Sequence, residues 1–154
     1  MNIKDIYAHN NLHIQETTYS CGPCTILNVL HLKGDFSRTE KELIKLCKAK
    51  KGIGTVQRDM VEAAQAVGLK IIKAKDKGSV KDIERHLDSG AYVIVCYWHA
   101  YDEVGHYGLI TQYDDDSLYF ADCDFGFFRV SKKGFKKFWY NTDMNVKEWF
   151  MAVK

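Results

Sequence analysis

His106-Tyr-Gly-Leu-Ile-Thr-Gln-Tyr113, Asp114-Asp-Asp-Ser117 and Leu118-Tyr-Phe-Ala-Asp122 form the continuous stretch that decides the fold. Two runs rich in β-branched and aromatic residues flank an acidic turn, the pattern of an antiparallel hairpin. With the turn centred on Asp114 and Asp115, residues whose numbers add to about 228 or 229 face each other. His106 and Asp122 meet that condition and are expected to be near cross-strand partners. Facing side chains have Cβ atoms about 4.5 to 5.5 Å apart. At that distance a carboxylate accepts a hydrogen bond from an imidazole and fixes its tautomer.

Outward from the hairpin, Ala91 to Tyr97, Phe127 to Val130 and Trp149 to Val153 read as further strands. The half before it has a different period. Gly22 to Leu32 carries apolar residues at Ile26, Leu27, Val29 and Leu30, a helical stripe. Ser37-Arg-Thr-Glu40 has the spacing of a capping box opening a helix to about Lys50. A third helix is expected from Thr55 to Val67 with Gly68 as its stop, then a short strand from Leu69 to Ala74. Ser79-Val-Lys-Asp82 starts another helix that ends at Gly90. Helices first and an antiparallel sheet second make an α+β protein. With no repeat, linker or low-complexity segment, residues 1–154 read as one domain.

The charge balance narrows the function classes. Twenty-two Lys and Arg stand against 20 Asp and Glu, and the basic residues are scattered except at Lys132, Lys133, Lys136 and Lys137. A nucleic-acid partner would demand a concentrated basic face, so none is expected. The longest apolar run, Ala91 to Trp98, is far below the roughly 20 residues that span a bilayer, and the N-terminus has no signal-like apolar core. Five cysteines are an odd count for a disulfide framework and fit free thiols in a reducing cytoplasm.

Cys21 is the thiol in the most reactive setting. It precedes Gly22 and Pro23 at a helix start, where unpaired N–H groups and the positive end of the macrodipole favour a thiolate. A base with an orienting carboxylate is what such a nucleophile needs, and His106 with Asp122 supplies both. Other readings share these residues. Cys21-Gly-Pro-Cys24 is also a dithiol redox motif. That fold needs a strand, helix and strand ahead of the motif and a later cis-Pro, whereas Pro23 is the only proline. Cys24 could still form a reversible disulfide with Cys21. A zinc site from Cys21, Cys24, Cys96 and His99 meets the alternation of a strand, which points residues three apart to opposite faces. His99 is the alternative base, although it lacks a carboxylate at hairpin spacing. Asp114-Asp115-Asp116 lacks the spaced ligands of a calcium loop, so neither metal nor cofactor is expected. Tyr97, Trp98, Tyr101 and Tyr107 are candidates to line a substrate groove, and Cys47 is expected to be a buried apolar position.

Gln15-Glu-Thr-Thr-Tyr-Ser-Cys21-Gly-Pro, Gly105-His106-Tyr107, Ala121-Asp122, Gly126 and Phe135-Lys-Lys-Phe-Trp139 resemble the bacteriocin-processing peptidases and their stand-alone relatives. Those enzymes cut leader peptides after a double glycine. The resemblance covers nearly the whole chain and implies a papain-like fold, its N-terminal helical half carrying the nucleophile against a C-terminal antiparallel sheet. It further implies a peptide or protein substrate, a thioester acyl-enzyme, and Gln15 donating its side-chain amide to the oxyanion beside the Cys21 N–H. Two departures stand out: relatives usually follow the aspartate with Pro, where this chain has Cys123, and they are commonly fused to a transporter. The same residues would also serve deamidation, transglutamination or acyl transfer, and a non-catalytic peptide-binding module is the reading without chemistry.

Overall fold

The computed structural model describes residues 12–99 and 101–154. Three helices come first: α1 (Cys21–Leu32), α2 (Glu40–Leu46) and α3 (Gln57–Ala66). After β1 (Ile71–Lys75) and α4 (Val80–Asp88), the chain enters β2 (Tyr92–His99), β3 (Val104–Tyr113), β4 (Ser117–Asp122) and β5 (Gly126–Ser131). It closes with α5 (Lys132–Lys136), the short pair β6 (Tyr140–Asn141) and β7 (Val146–Lys147), and β8 (Phe150–Val153). The main sheet is antiparallel with strand order β1-β8-β2-β3-β4-β5.

Strand alternation splits the core in two. Along β2, Ile94 and Cys96 face α1, α2 and α3, joining Ile26, Leu30, Leu43 and Met60 in one cluster. Val93, Val95 and Tyr97 face the other way, against Ile83 of α4, Phe120, and Phe135 and Trp139 at and after α5. β2 therefore reads as a continuous apolar run, because both of its faces are covered.

The expected elements appear with shifted ends. Gly68, at φ +88°, stops α3. Ser79 caps α4 with a full capping box to Asp82. Two expectations are corrected. Helix α2 opens at Thr39 rather than at Ser37: the Thr39 hydroxyl accepts from Glu42 N–H, and Glu42 returns a bond to Thr39 N–H at 2.8 Å. Both sites have the same spacing, and the later one forms, so Glu40 is released from capping. The second correction is the hairpin register. Leu109 pairs with Ala121 and Ile110 with Phe120, and after an irregularity at Thr111, Tyr113 pairs with Leu118. The acidic turn is closed by Asp114, whose Oδ1 accepts from Asp116 N–H and Ser117 N–H, so its carboxylate is consumed by the turn itself.

Candidate active site

Continuing the observed register from Leu109 and Ala121 sets Asp122 beside Gly108, two residues from His106 and on the same face of the sheet. His106 itself pairs with Tyr97 of β2. The imidazole and carboxylate are thus diagonal neighbours, separated by a span that long side chains bridge. Gly108 leaves the room they need, since a Cβ there would lie 3.1 Å from Asp122 Oδ2 and 3.0 Å from the Tyr97 ring. The result is a close contact: His106 Nε2 lies 2.9 Å from Asp122 Oδ1 and 3.0 Å from Oδ2.

Asp122 is fully buried, yet every oxygen is engaged. Oδ1 accepts from Asp124 N–H at 2.9 Å and Phe125 N–H at 3.0 Å, and Oδ2 accepts from the Tyr97 hydroxyl at 2.8 Å. Burial works against its charge, but His106 and the two N–H donors outweigh it and hold the carboxyl below the usual range. Burial likewise opposes an imidazolium at His106. The Asp122 carboxylate and the Cys21 sulfur more than compensate, raising His106 well above the ordinary imidazole range.

Helix α1 brings the thiol. It packs across β3, with Thr25 Oγ1 at 3.4 Å from the Tyr107 carbonyl, so the first turn of α1 sits beside the residue after the histidine. Cys21, the first helical residue, lies within hydrogen-bonding reach of the His106 ring. With Nε2 committed to Asp122, Nδ1 is the nitrogen left for sulfur. Ser20 at the N-cap makes no side-chain cap bond, so the first-turn N–H groups of α1 receive nothing from it.

Gln15 completes the group. Its backbone N–H donates to the Cys123 carbonyl at 2.8 Å, its Oε1 accepts from Cys123 Sγ at 3.2 Å, and one Nε2 hydrogen goes to the Thr17 carbonyl at 2.8 Å. An amide nitrogen carries two hydrogens, so a second donor remains. Cys123 thus orients the Gln15 side chain. Gln15, Cys21 and His106 line one cleft of about 680 Å³ with Thr17, Gly54 and Asn141.

The remaining candidates go elsewhere. His99 faces Asp102 at 3.1 Å and stacks on Phe125 with ring centroids 3.9 Å apart. Cys96 Sγ accepts from the Gln57 and Asn141 amides. Cys24 donates to the His13 carbonyl at 3.4 Å and neighbours Cys123 rather than pairing with Cys21; all five thiols are free. Burial pushes Cys47 and Cys96 up to about 12 and also raises Cys24 and Cys123. His106, Asp122 and Cys123 offer donor atoms within 4.8 Å of one another, but the His106 nitrogen and the Asp122 oxygens already bond each other. Tyr97, Trp98 and Tyr101 line an aromatic recess behind Phe125, whereas Tyr107 is buried with its hydroxyl on the Thr55 carbonyl at 2.7 Å.

Tyr97 as a partner of Asp122 was not read from the sequence. The signal was its position opposite His106, which depends on the β2–β3 register. Tyr97→Phe is expected to slow turnover several-fold and to cost about 1.5 to 3 kcal/mol of stability, the range for a hydrogen bond to a charged group. Urea unfolding and steady-state kinetics check both.

The model of the peptidase C39 family matches residues 9–148. Among solved structures, the peptidase domain of Streptococcus ComA, a bifunctional ABC transporter involved in quorum sensing, superposes with TM-score 0.68 at 21% identity, covering 94% of this chain and 96% of that one. A putative C39-like peptidase from Bacillus anthracis gives TM-score 0.73 at 14% identity, with 94% of each chain covered. A double glycine motif protease from an AMS/PCAT transporter, in complex with its leader peptide, gives 0.66 at 13% identity over 93% of this chain and 89% of that one. No curated protein sequence matches. Among the described residues no helix is long and apolar enough to cross a membrane.

Proposed function

The chain belongs to the peptidase C39 family and is a cysteine peptidase; from that premise we propose that Cys21 is its nucleophile, His106 the base, Asp122 the orienter of that base, and Gln15 an oxyanion donor. The observation that carries this reading is His106 with its Nε2 on the buried Asp122 carboxylate and Cys21 beside it in the same cleft.

The steps follow from those positions. His106 takes the thiol proton and the sulfur attacks the peptide carbonyl, whose electron pair moves onto oxygen. The Cys21 N–H at the helix start and the second Nε2 hydrogen of Gln15 donate to that oxyanion. On collapse, His106 protonates the leaving amine, and a thioester remains on Cys21. Water, deprotonated by His106, then releases the acid.

The substrate we propose is a leader-type peptide cut after a double glycine. What supports it is family membership, together with a cleft of about 680 Å³ that Gln15, Cys21 and His106 all line. Five free thiols fit a reducing compartment such as the cytoplasm. The test is mass spectrometry of fragments after incubation with a leader peptide ending in Gly-Gly ahead of a cargo sequence. Cleavage after the second glycine, lost when either glycine becomes Leu, is the expected result. Cleavage at unrelated sites, indifferent to those substitutions, would remove the leader-peptide assignment while leaving the peptidase chemistry in place.

A further inference from the structure

Glu40 is the feature that catalysis by Cys21, His106 and Asp122 does not use. It stands in the first turn of α2, freed from capping, with its side chain 1% exposed. A buried carboxylate is costly unless its oxygens are satisfied. All of its bonds go to the segment leading into the nucleophile. His13 Nε2 lies 2.8 Å from Oε2, the Glu16 N–H lies 3.0 and 3.1 Å from the two oxygens, and the Ser20 hydroxyl donates to Oε1. Burial raises the carboxyl of Glu40, but His13, Ser20 and the Glu16 N–H outweigh it and keep it ionised.

Those donors bracket the proposed oxyanion site. Glu16 directly follows Gln15, so tying down its N–H fixes the backbone that aims the Gln15 amide. Ser20 directly precedes Cys21. A capping serine serves the N–H of the second or third helical residue, and the third here is Pro23, which has none. Here the hydroxyl goes to Glu40 and caps nothing. The second anchor of the same segment is Asn28 of α1, whose side chain accepts from His13 N–H at 2.7 Å and donates to the His13 carbonyl at 2.9 Å. Asn28 fixes the far end of the segment, and Glu40 fixes the end that carries Gln15.

We infer that Glu40 is a positioning residue for the oxyanion site: through the Glu16 N–H and the Ser20 hydroxyl it fixes both ends of the segment from Gln15 to Cys21, and so holds the Gln15 amide in register with the Cys21 N–H. This rests on the roles proposed for Cys21 and Gln15. Glu40 touches no reacting atom, and its effect is on transition-state charge rather than on substrate binding or on the thiol.

The experiment is a double-mutant cycle of Glu40→Gln with Gln15→Ala, followed by peptide cleavage and by iodoacetamide alkylation of Cys21, a substitution that develops no oxyanion. Glu40→Gln is expected to lower kcat about tenfold, part of the roughly 10²-fold that loss of a whole oxyanion donor costs. KM and the alkylation rate should stay within about twofold. In the Gln15→Ala background, Glu40→Gln should add less than about threefold. Full additivity, or alkylation slowing in step with cleavage, overturns the inference, because Glu40 would then support the helix start as a whole. If Gln15→Ala alone leaves kcat unchanged, the oxyanion role of Gln15 falls, and the inference with it. Thermal melts confirm that each variant is folded at the assay temperature. Should Glu40→Gln not be, Glu40→Asp, which keeps the charge and shortens the reach, takes its place with the same criteria.

Discussion

Cys21→Ala is expected to abolish peptide cleavage, a loss of roughly 10⁴-fold or more, while the protein keeps its secondary structure and melts close to the wild type. The magnitude follows from the chemistry: without the sulfur no thioester forms, and only binding and oxyanion contacts remain to act on water. The fold survives because the change is confined. Cys21 is a small residue at a helix end whose neighbours contact its backbone: Thr25 Oγ1 donates to the Cys21 carbonyl at 2.6 Å and Cys123 Sγ lies 3.5 Å from the same oxygen. None of those bonds uses the thiol. Cleavage by Cys21→Ala at the wild-type rate would show that another residue is the nucleophile. Circular dichroism on the same preparation separates lost chemistry from lost structure.

Asp122→Asn has the second-largest effect, expected at roughly 10²-fold on kcat and smaller than that of losing a member that touches the reacting bond. The amide oxygen can replace Oδ1 and accept from Asp124 N–H and Phe125 N–H. The new NH₂ must then face the Tyr97 hydroxyl and His106 Nε2, both of which now donate. Nε2 must become an acceptor, which moves the imidazole proton to Nδ1, the nitrogen that should receive the thiol proton. The wrong tautomer is built in.

The pH profile carries the same signature. In the wild type the Asp122 carboxylate and the Cys21 sulfur raise His106 well above 6.5 against the effect of burial. In the proposed mechanism the imidazolium that protonates the leaving amine therefore persists into alkaline solution, and activity is expected to fall only as pH rises through that raised value. Removing the negative charge at position 122 takes away the largest of the raising contributions. The alkaline limb of kcat/KM in Asp122→Asn should move down towards the ordinary histidine range. A profile whose alkaline limb stays in place would show that Asp122 acts on the fold alone.

Much of this arrangement was legible in the sequence, for identifiable reasons. The helix of Cys21 announced itself through Gly22-Pro23 and the stripe after it, and the β3–β4 hairpin through its acidic turn. A regular turn centred on Asp114 and Asp115 sets His106 opposite Asp122, and the observed register differs from it by about two residues. The pairing still met, because period-two alternation kept both on one face and Gly108 left space for the carboxylate to lean. Long side chains tolerate such a slip where short ones do not. Tyr97 was beyond reach because it depends on the β2–β3 register, which is set across a loop carrying no turn signature. Local pattern does not reveal the role of Glu40: Ser37 to Glu40 and Thr39 to Glu42 have the same spacing, and sequence alone does not choose between overlapping capping boxes. The choice is tertiary, because a buried carboxylate at position 40 has His13, Glu16 and Ser20 waiting for it.

The central claim is that Cys21, activated by His106, forms the covalent bond with the carbonyl carbon side of the substrate. The direct measurement uses a leader peptide ending in Gly-Gly with a chloromethyl ketone in place of the scissile amide, and locates the adduct by peptide mapping across all five thiols and all the histidines. The expected result is a single adduct on Cys21 that forms slowly in His106→Ala and not at all in Cys21→Ala. An adduct spread among Cys24, Cys47, Cys96 and Cys123, or one on Cys21 whose rate is indifferent to His106→Ala, would contradict it.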